Sequence, residues 1–388
     1  MEQIEVAIIG GGPAGLRAAE VAASAGRKVV VFDGKPSVGR KFLVAGKGGL
    51  NLTHGENFDQ FTTRYCGGAL WEELLRDFDP QALREWAHSL GQETFQASSG
   101  RIYPRSLKGA PLLRAWLGRL KELGVDIRPR HLWCSLERGM ILNFQDQPSV
   151  QAKAIVFAMG GASWPKTGSD GAWVESFSKM NIGCTDLAAS NCGWECDWTP
   201  EILTAAEGLP IKNICVSAGG KSLSGELLVT RYGLEGGTIY ALGQQLRAMS
   251  RPAINIDFKP TFSVEQLVAK LDYGKGNLFR RASKLWKLSE PAAAILSRKS
   301  YRNGVELAME TKHCEIPLNC PRPIAEAISS AGGVRWDELD EKLMLVGIPG
   351  VFLCGEMIDW DAPTGGYLLQ AAFATGTRAG REAAAYVA

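Results

Sequence analysis

The chain lacks a long run of apolar residues. No segment approaches the roughly 18 consecutive apolar residues of a transmembrane helix, and the N-terminus enters a predicted strand without a signal peptide's basic region and cleavage site. The 43 basic and 41 acidic residues give a net charge of +2, with no basic run or block of like charge. We therefore expect a cytoplasmic protein that acts on a small molecule and binds neither nucleic acid nor membrane.

Residues that commonly bind metals or carry acid–base catalysis are few and irregularly spaced. The four histidines show neither triad nor metal spacing, so the sequence names no catalytic acid or base. The nine cysteines form an odd, irregular set, which is typical of reduced thiols in a cytosolic protein. Cys192 and Cys196 could share a metal, but no second pair at ligand spacing follows. We therefore favour structural thiols and expect no metal.

The first 33 residues carry the strongest pattern in the chain. Residues 4–9 predict a buried strand, Gly10 to Gly15 a glycine-rich turn and residues 16–25 a helix, and a second apolar strand ends at Asp33. In such a turn the first glycine makes the bend, the second lets the backbone approach a pyrophosphate, and the third lets helix and strand pack closely. The helix N-terminus favours phosphates, and an acid about 20 residues on can bind ribose hydroxyls. The pattern predicts a dinucleotide site, without specifying the dinucleotide.

A glycine-rich loop follows this motif directly. Residues 34–54 combine five glycines with Arg40, Lys41 and Lys47, so they offer free backbone amides and cations to an anion. A mobile surface loop is the alternative interpretation. The position of the loop after a dinucleotide motif favours binding.

The C-terminal segment repeats the pattern of a strand, a glycine-rich turn and a helix. A strand over residues 350–354 leads to Gly355-Glu356, and a glycine-rich turn then precedes an alanine-rich helix over residues 368–387. Between about 190 and 328 the composition changes to short strand-like pieces followed by helical patterns. We therefore expect both ends of the chain to build one site, with a separate domain inserted between them.

The ordered combination of motifs resembles the YhiN/BaiN-like family of FAD-dependent oxidoreductases, which also includes aminoacetone oxidase. The resemblance runs almost from end to end, including Gly39-Arg40-Lys41, Gly160-Gly161-Ala162-Ser163 and Gly355-Glu356. It implies an α/β fold in which residues 1–189 and 329–388 form a discontinuous Rossmann-like FAD-binding domain. Residues 190–328 would form an inserted β-barrel-like domain with a helical subdomain, which serves as a substrate or cap domain.

The resemblance also implies a set of cofactor contacts. The first glycine-rich turn would hold the pyrophosphate, the acid after the second strand would bind the adenosine ribose, and the basic loop would line the phosphates and the near edge of the flavin. The start of the last helix would present amides to the flavin pyrimidine edge, where a helix N-terminus stabilises the negative charge of the reduced ring. The implied residues are Gly10, Gly12, Pro13, Ala14, Gly15, Asp33, Gly34, Lys35, Arg40, Lys41, Gly46, Lys47, Gly48, Asn51, Leu132, Met159, Gly160, Gly355, Glu356, Gly366, Tyr367, Leu368 and Leu369.

The resemblance does not identify the substrate. Where many relatives have Ser-Gly-Gly-Gly-Arg-Cys-Asn, residues 45–51 of this chain lack the Arg-Cys pair, and Thr230-Arg231 replaces a Thr-His pair. Arg231 and Tyr232 are candidates for the substrate side only because they lie in a family-like segment; a loop that packs domain on domain is the alternative.

We expect FAD held without covalent attachment, because no His or Cys attachment motif matches, and hydride transfer at flavin N5. An oxidase-like reaction is the leading hypothesis. The alternatives are an NAD(P)H-dependent reductase of an unsaturated carbonyl substrate and a non-enzymatic flavin-binding sensor or scaffold. Because only one GxGxxG unit is present, NAD(P)H is expected as a transient electron donor rather than as a stably bound cofactor.

Overall fold

The chain folds into two units, and the first is built from both ends. The computed structural model describes residues 1–46, 48–271 and 276–388. Unit 1 comprises Met1–Ala189 and Ile328–Ala388, and unit 2 comprises Ser190–Ala327. These bounds lie next to the boundaries at 190 and 328 that the composition predicts. Among the helices of the described residues, none combines the length and the apolar character that crossing a membrane requires.

The described residues form both strands and helices in each of the two units. The strands are β1 (Glu2–Ile9), β2 (Val29–Asp33), β3 (Thr53–His54), β4 (Thr94–Gln96), β5 (Arg101–Pro104), β6 (Asp126–Pro129), β7 (Trp133–Glu137), β8 (Ile141–Phe144), β9 (Gln147–Phe157), β10 (Cys184–Ser190), β11 (Trp194–Glu195), β12 (Pro210–Ala218), β13 (Lys221–Thr230), β14 (Gly233–Glu235), β15 (Ala253–Asp257), β16 (Cys314–Pro317), β17 (Ser329–Val334) and β18 (Val351–Leu353). The helices are α1 (Pro13–Ser24), α2 (Arg40–Ala45), α3 (Phe58–Thr62), α4 (Trp71–Asp77), α5 (Pro80–Ser89), α6 (Gly109–Glu122), α7 (Trp173–Lys179), α8 (Pro200–Ala206), α9 (Gly237–Ala241), α10 (Gly243–Arg247), α11 (Val264–Ala269), α12 (Leu278–Leu285), α13 (Glu290–Leu296), α14 (Gly304–Lys312) and α15 (Tyr367–Tyr386).

The central sheet of unit 1 confirms the predicted Rossmann-like fold. Its strand order is β6-β2-β1-β9-β8-β7, and β18 pairs with the second half of β9. The pairs of β1 with β2 and β9, of β2 with β6, and of β9 with β18 are parallel. Strands covered on both faces read as near-continuous apolar runs, and β1 accordingly buries Val6 to Ile9. The carboxyl ends of β1, β9 and β18 therefore lie side by side.

The first and last helices of the chain pack closely through small residues. An added Cβ at Gly376 of α15 would lie 2.4 Å from the backbone oxygen of Ala14 in α1, and one at Gly380 would lie 2.5 Å from the backbone oxygen of Ala18. The guanidinium Nε of Arg17 donates a 2.9 Å hydrogen bond to Thr377 Oγ1 across the same contact. Only glycine allows this separation of the helix axes.

A buried carboxylate ties α1 to two neighbouring helices. Glu20 is 4% exposed, and its carboxylate accepts 2.9 Å hydrogen bonds from the indole N–H groups of Trp86 on α5 and Trp116 on α6. Arg17 and Arg119 pair with the same carboxylate at 3.1 and 3.2 Å. A buried charge is costly unless paired and hydrogen-bonded, and here four donors meet that requirement. The glycine-rich turn before α1 is thus anchored through the helix that follows it.

Unit 2 contains an antiparallel sheet followed by helices. Its strand order is β11-β14-β13-β12-β15-β16. The segment after β16 returns to β11, because Glu195 N–H donates to Cys320 O at 2.8 Å and Asn319 N–H donates to Glu195 O at 2.8 Å. The two edges of the sheet therefore meet, as in the β-barrel-like domain that was expected. A second apolar cluster lies among α11, α12 and α14 around Trp286 and Leu307.

The contact between α1 and α15 predicts a large difference between two helical glycines. We expect Gly376→Ala to lower the free energy of unfolding by about 1–3 kcal/mol, because the methyl group must push α15 away from Ala14. Gly118→Ala in α6 is the matched control, since its Cβ would meet no atom within 4 Å, and it should raise stability by up to about 1 kcal/mol. Urea denaturation of both variants measures the difference. Equal stabilities would contradict the contact.

Candidate cofactor site

The predicted residues at the ends of β1, β9 and β18 come together. An added Cβ at Gly10 would lie 2.3 Å from Ala158 O, and one at Gly355 would lie 2.8 Å from the Ala14 methyl group. The N–H of Met159 donates to the Met357 sulfur at 3.2 Å. The turn after each of the three strands thus contacts its neighbour.

Two glycines of the first turn differ in their surroundings. A Cβ at Gly15 would lie 1.9 Å from Gly10 O, so this glycine is required for helix and strand to pack. Gly12 is the N-cap of α1, with Pro13 at the first helical position, and a Cβ at Gly12 would meet no atom within 4 Å. The protein itself therefore does not require a glycine at position 12. The space beside its backbone is available to a pyrophosphate at the helix N-terminus.

Asp33 lies at the end of β2, where the adenosine ribose is expected to bind. Its carboxylate also holds the glycine-rich turn. Its carboxylate accepts hydrogen bonds from the N–H groups of Gly11 at 2.9 Å and Lys35 at 2.8 Å. Burial raises the pKa of Asp33, and these two donors oppose the shift. A Cβ at Gly34 would lie 2.9 Å from the Leu132 side chain, so the predicted adenine neighbour Leu132 lies beside this turn. A carboxylate has further acceptor positions for ribose hydroxyls.

An ion pair joins the basic loop to the C-terminal turn. Lys41 Nζ lies 2.6 Å from Glu356 Oε2 and donates a 2.6 Å hydrogen bond to Ser163 Oγ. The other oxygen of Glu356 accepts from the Ser330 N–H at 2.9 Å. Sequence reasoning did not select Ser163 or Ser330. The resembling segment Gly160-Gly161-Ala162-Ser163 was the only signal that could have indicated Ser163, and no motif of the sequence analysis includes Ser330.

Three buried polar atoms of this region have no hydrogen-bond partner among the described residues. They are Arg40 Nε, Asn51 Oδ1 and Thr53 Oγ1. Buried polar groups are nearly always paired, so such atoms near a predicted binding loop indicate a place for ligand polar groups. Arg40 and Asn51 were both predicted to line the phosphates and the near edge of the flavin.

The start of α15 lies directly on β3. Gly366 is the N-cap, with φ at 102°, and an added Cβ there would lie 2.4 Å from the carbonyl carbon of Thr53. This glycine is required both by its left-handed backbone and by the close approach. The amides of Tyr367, Leu368 and Leu369 form the first turn, whose N–H groups an α-helix leaves unpaired.

The Tyr367 side chain has a structural partner of its own. Its hydroxyl donates to Glu56 Oε1 at 2.5 Å, its ring stacks on His54 with centroids 5.4 Å apart, and its carbonyl accepts from Tyr65 at 2.9 Å. Burial raises the pKa of Tyr367, and the bond to Glu56 adds to the shift. Burial alone would raise the pKa of Glu56, but hydrogen bonds from Arg64 and Tyr367 lower it. Tyr367 therefore has only its backbone amide for the predicted flavin contact.

The remaining predicted residues show weaker relations to the site. Gly46 packs on the backbone of Gly109, whereas Gly48 has open space at its Cβ position. Gly160 lies in the turn after β9, and its carbonyl accepts a 2.8 Å hydrogen bond from Trp173. Lys47 lies outside the described residues.

Other features of the chain offer no alternative cofactor site among the described residues. A cavity of about 410 Å³ in unit 1 contains none of the predicted cofactor residues; its lining consists of Val174, Ser178, residues 181–184, Asp186, Arg335 and Glu338. Within the described parts of the chain, no group of three His, Cys, Asp or Glu side chains could hold a metal ion. In unit 2, Tyr232 donates its hydroxyl hydrogen to Glu235, while Arg231 is exposed at the tip of the β13–β14 hairpin.

The residues present fit FAD at this position. The open space at Gly12 and the unpaired atoms of Arg40 and Asn51 match the phosphate end of FAD. The free first-turn amides of α15 match its flavin end. Bound FAD would supply the redox chemistry, which amino-acid side chains lack.

Comparisons with known proteins agree with this geometry. The family model of the HI0933-like protein Rossmann domain matches residues 4–382. A 3-dehydro-bile acid delta(4,6)-reductase from Clostridium scindens is 26% identical, over 98% of this chain and 98% of its own length. The ribosomal RNA dihydrouridine synthase of Haemophilus influenzae is 25% identical over 95% of both chains, and that of Escherichia coli is 23% identical over 97% and 96%.

Solved structures support the fold. A 3-ketosteroid-delta4-(5alpha)-dehydrogenase from Rhodococcus jostii RHA1 superposes with a TM-score of 0.53 at 16% identity, over 99% of this chain and 97% of its own. A 3-ketosteroid delta1-dehydrogenase from Sterolibacterium denitrificans gives 0.54 at 12% identity, over 99% and 100%. The match to nearly the whole chain, together with the geometry above, assigns the protein to the HI0933-like family of FAD-dependent oxidoreductases.

Proposed function

We propose that the protein is an FAD-dependent reductase of a carbon–carbon double bond conjugated to a carbonyl group. The observation that carries the proposal is the chemistry common to two kinds of full-length relative. A delta-4 double bond beside a 3-oxo group and the C5=C6 bond of uridine beside its C4 carbonyl are both electron-poor alkenes. Each accepts a hydride at the carbon remote from the carbonyl and a proton at the carbon next to it. The substrate class is therefore either a small polycyclic enone or a uridine.

The start of α15 supports a reaction in which negative charge gathers on the cofactor. Its first-turn amides lie at the positive end of a 20-residue helix, and the described contacts between Gly366 and Thr53 fix that end in place. A helix N-terminus contributes stabilisation of roughly 0.3–1 kcal/mol to a nearby anion, and more where water is excluded. Three side chains hold Tyr367 in place. Its backbone amide therefore points in a fixed direction before any cofactor binds.

Lys41 and Glu356 have a positioning role in this proposal. Their ion pair connects α2 to the turn after β18; Ser163 Oγ accepts a further hydrogen bond from Lys41, and the Ser330 N–H donates one to Glu356. The Glu356 carboxylate keeps acceptor capacity for hydroxyl groups of the ribityl chain. Lys41 offsets the charge of this half-buried carboxylate.

Oxidation of a small amine with oxygen as acceptor stays the competing expectation from the sequence. It is favoured by the resemblance to the group that includes aminoacetone oxidase, and by the single dinucleotide motif. The reductase proposal needs an external hydride donor, for which NAD(P)H is the candidate. A non-enzymatic role is favoured by no described contact.

The rate of flavin reoxidation distinguishes reductase from oxidase. The holoenzyme is reduced anaerobically with dithionite and mixed in a stopped-flow instrument with a 3-oxo-delta-4 steroid, with uridine, or with oxygenated buffer. We expect the flavin band to return faster with one of the conjugated carbonyl compounds than with oxygen, and the product to gain two hydrogens by mass spectrometry. Faster return with oxygen, together with bleaching of the oxidised enzyme by a small amine, would favour the oxidase.

The donor is tested in the opposite half-reaction. NADH or NADPH mixed anaerobically with oxidised enzyme should bleach the flavin slowly and without saturation at low concentration, because the chain has no second dinucleotide motif. Slow bleaching is the behaviour of a donor that visits the flavin only transiently. Fast, saturable bleaching by one nicotinamide would indicate a dedicated nicotinamide site and strengthen the reductase proposal, whereas no bleaching would exclude NAD(P)H as its donor.

Gly12→Val tests where the cofactor binds. We expect the variant to lose FAD while its thermal unfolding remains close to that of the wild-type apoprotein, because the valine methyl groups enter the proposed pyrophosphate space but meet no described protein atom within 4 Å of the Cβ position. Gly118→Val, at another glycine with open space, is the control and should keep its flavin. The ratio of flavin to protein absorbance after gel filtration gives the flavin content of each variant. Heating the wild type should release its flavin into solution, because the cofactor is expected to be bound without covalent attachment. Full flavin in Gly12→Val would show that the turn is misassigned.

A further inference from the structure

The near-neutral net charge of the chain conceals an uneven distribution. Residues 259–312 contain 11 lysines and arginines and five aspartates and glutamates, which gives +6. The chain as a whole carries +2, so the remaining residues carry a net charge of −4. This helical part of unit 2 is therefore the basic region of the protein, although no consecutive run of lysines or arginines marks it.

Five cations of this region form one surface, which we call the basic face: Lys259, Lys270, Arg280, Lys284 and Lys287. Burial lowers the pKa of Lys259, and the charges of Lys270 and Lys287 lower it further, so these three side chains are electrostatic neighbours. Lys259 Nζ also donates to Lys287 O at 2.7 Å. The other four side chains are exposed.

The helix α12 aligns the rest of the basic face. Arg280 and Lys284 are four residues apart and lie on one side of α12, which ends at Leu285. Lys287 follows in the turn after the helix, with φ at 50°, and its N–H donates to Lys284 O at 3.3 Å. Four residues advance an α-helix by about 6 Å. The Lys270 ammonium lies 4.0 Å from the centroid of the half-buried Phe262 ring, which adds an aromatic surface at this end.

The carboxylates that the structure describes in and next to this region pair with other cations or lie at helix N-termini. Asp257 pairs with Lys312 at 2.6 Å, Glu310 pairs with Lys299 at 2.8 Å, and Glu306 pairs with Arg302 at 3.4 Å. Glu265 and Glu290 lie in the first turns of α11 and α13, where they interact favourably with the helix N-termini. Among the described contacts, no carboxylate pairs with a side chain of the basic face, and only the backbone N–H of Lys259 donates to Asp257 Oδ1, at 2.9 Å.

The apolar side of α12 is already covered. Ala282 and the following Trp286 are buried in a cluster with Leu267, Leu307 and Ala308, and the Trp286 indole N–H donates to Leu267 O at 2.9 Å. A helix that binds a membrane surface inserts an exposed apolar side between lipids, whereas α12 exposes a single large apolar side chain, Leu285. The basic face offers charge without an apolar anchor, which is complementary to a phosphate backbone.

We propose that the basic face binds RNA through its phosphate backbone. The choice of RNA over DNA rests on the proposed function, in which uridine is one of the two substrate classes; the charge argument itself does not depend on the reaction. Phosphate contacts fix a protein's position on nucleic acid and carry no sequence information. The basic face would therefore deliver the enzyme to RNA, while the choice of base would be made elsewhere.

The test measures binding without turnover, so its failure is separate from failure of the proposed reaction. The oxidised holoenzyme is titrated into a fluorescein-labelled RNA hairpin, and anisotropy is followed between 50 and 200 mM salt, concentrations over which phosphate contacts weaken markedly (about 10³–10⁵-fold for 6–10 contacts). The variant Lys270→Glu/Lys284→Glu/Lys287→Glu is compared with Lys153→Glu/Lys212→Glu/Lys221→Glu, which changes the net charge equally at exposed lysines on strands β9, β12 and β13.

We expect the basic-face variant to bind at least tenfold more weakly than the control variant at 100 mM salt. The slope of log K against log salt should fall by about 2–3, since each phosphate contact contributes about 0.7–0.9. Both variants should keep the wild-type flavin content and thermal unfolding, which excludes loss of the fold. Equal weakening in both variants, tighter binding of a DNA hairpin of the same sequence, or binding to phosphatidylserine vesicles but not to RNA would each overturn the proposal.

Discussion

The close contact between the first and the last helix is the constraint on which unit 1 depends. Gly376 and Gly380 let α15 approach the backbone of α1 at Ala14 and Ala18. On the same helix, the hydroxyl oxygen of Thr375 accepts a 2.9 Å hydrogen bond from the Gly355 N–H. This bond fixes the turn after β18. The position of one helix therefore determines where the two glycine-rich turns lie relative to each other. A larger residue at either glycine would move the helix and the C-terminal turn together.

The Lys41–Glu356 pair performs a similar task at the other side of the candidate site. It joins a loop near the N-terminus to a turn near the C-terminus, and two serines complete its hydrogen bonds. An ion pair at 26% and 18% side-chain exposure contributes little to stability by itself. Its value lies in geometry, because it holds together two segments that were both predicted to face the cofactor. The unpaired atoms of Asn51 and Thr53 lie in strand β3 and the loop before it, on which Gly366 packs at the start of α15.

Local structure could be predicted from the sequence where a pattern had only one physical explanation. The strand, turn and helix of residues 4–25 and the terminal helix were predicted within three positions, since glycine-rich turns and small-residue helices have few alternatives. The helical patterns expected after the strand-like pieces of the inserted domain were also confirmed, as α11 to α14. The three-and-four spacing of apolar residues between 56 and 96 predicts a helical stretch, whereas the structure ends it in strand β4, because pairing with β5 decides the state of Thr94 to Gln96. Helices α9 and α10 were missed, as each spans one turn or little more and shows no periodicity.

Relations between distant residues could not be predicted in the same way. No spacing in the sequence connects Lys41 to Ser163, Tyr367 to Glu56, or Glu20 to two tryptophans, because such contacts depend on how the elements pack. The basic face was missed for a related reason. Its cations are separated by apolar residues of α12 and by loop residues, and only the fold brings Lys259, Lys270 and Lys287 together beyond the helix that carries Arg280 and Lys284.

The union of both chain ends in unit 1 sets the order in which the protein can be completed during synthesis. Lys41 and Glu356 are 315 positions apart, so at about 5–20 residues per second the ribosome needs roughly 16–63 s to make the second partner after the first. Unit 2 is continuous from Ser190 to Ala327 and is synthesised in full before β18 and α15 exist. During that interval the N-terminal strands and α1 lack the helix that covers them. The contacts that join the two glycine-rich turns of unit 1 therefore form only late in synthesis.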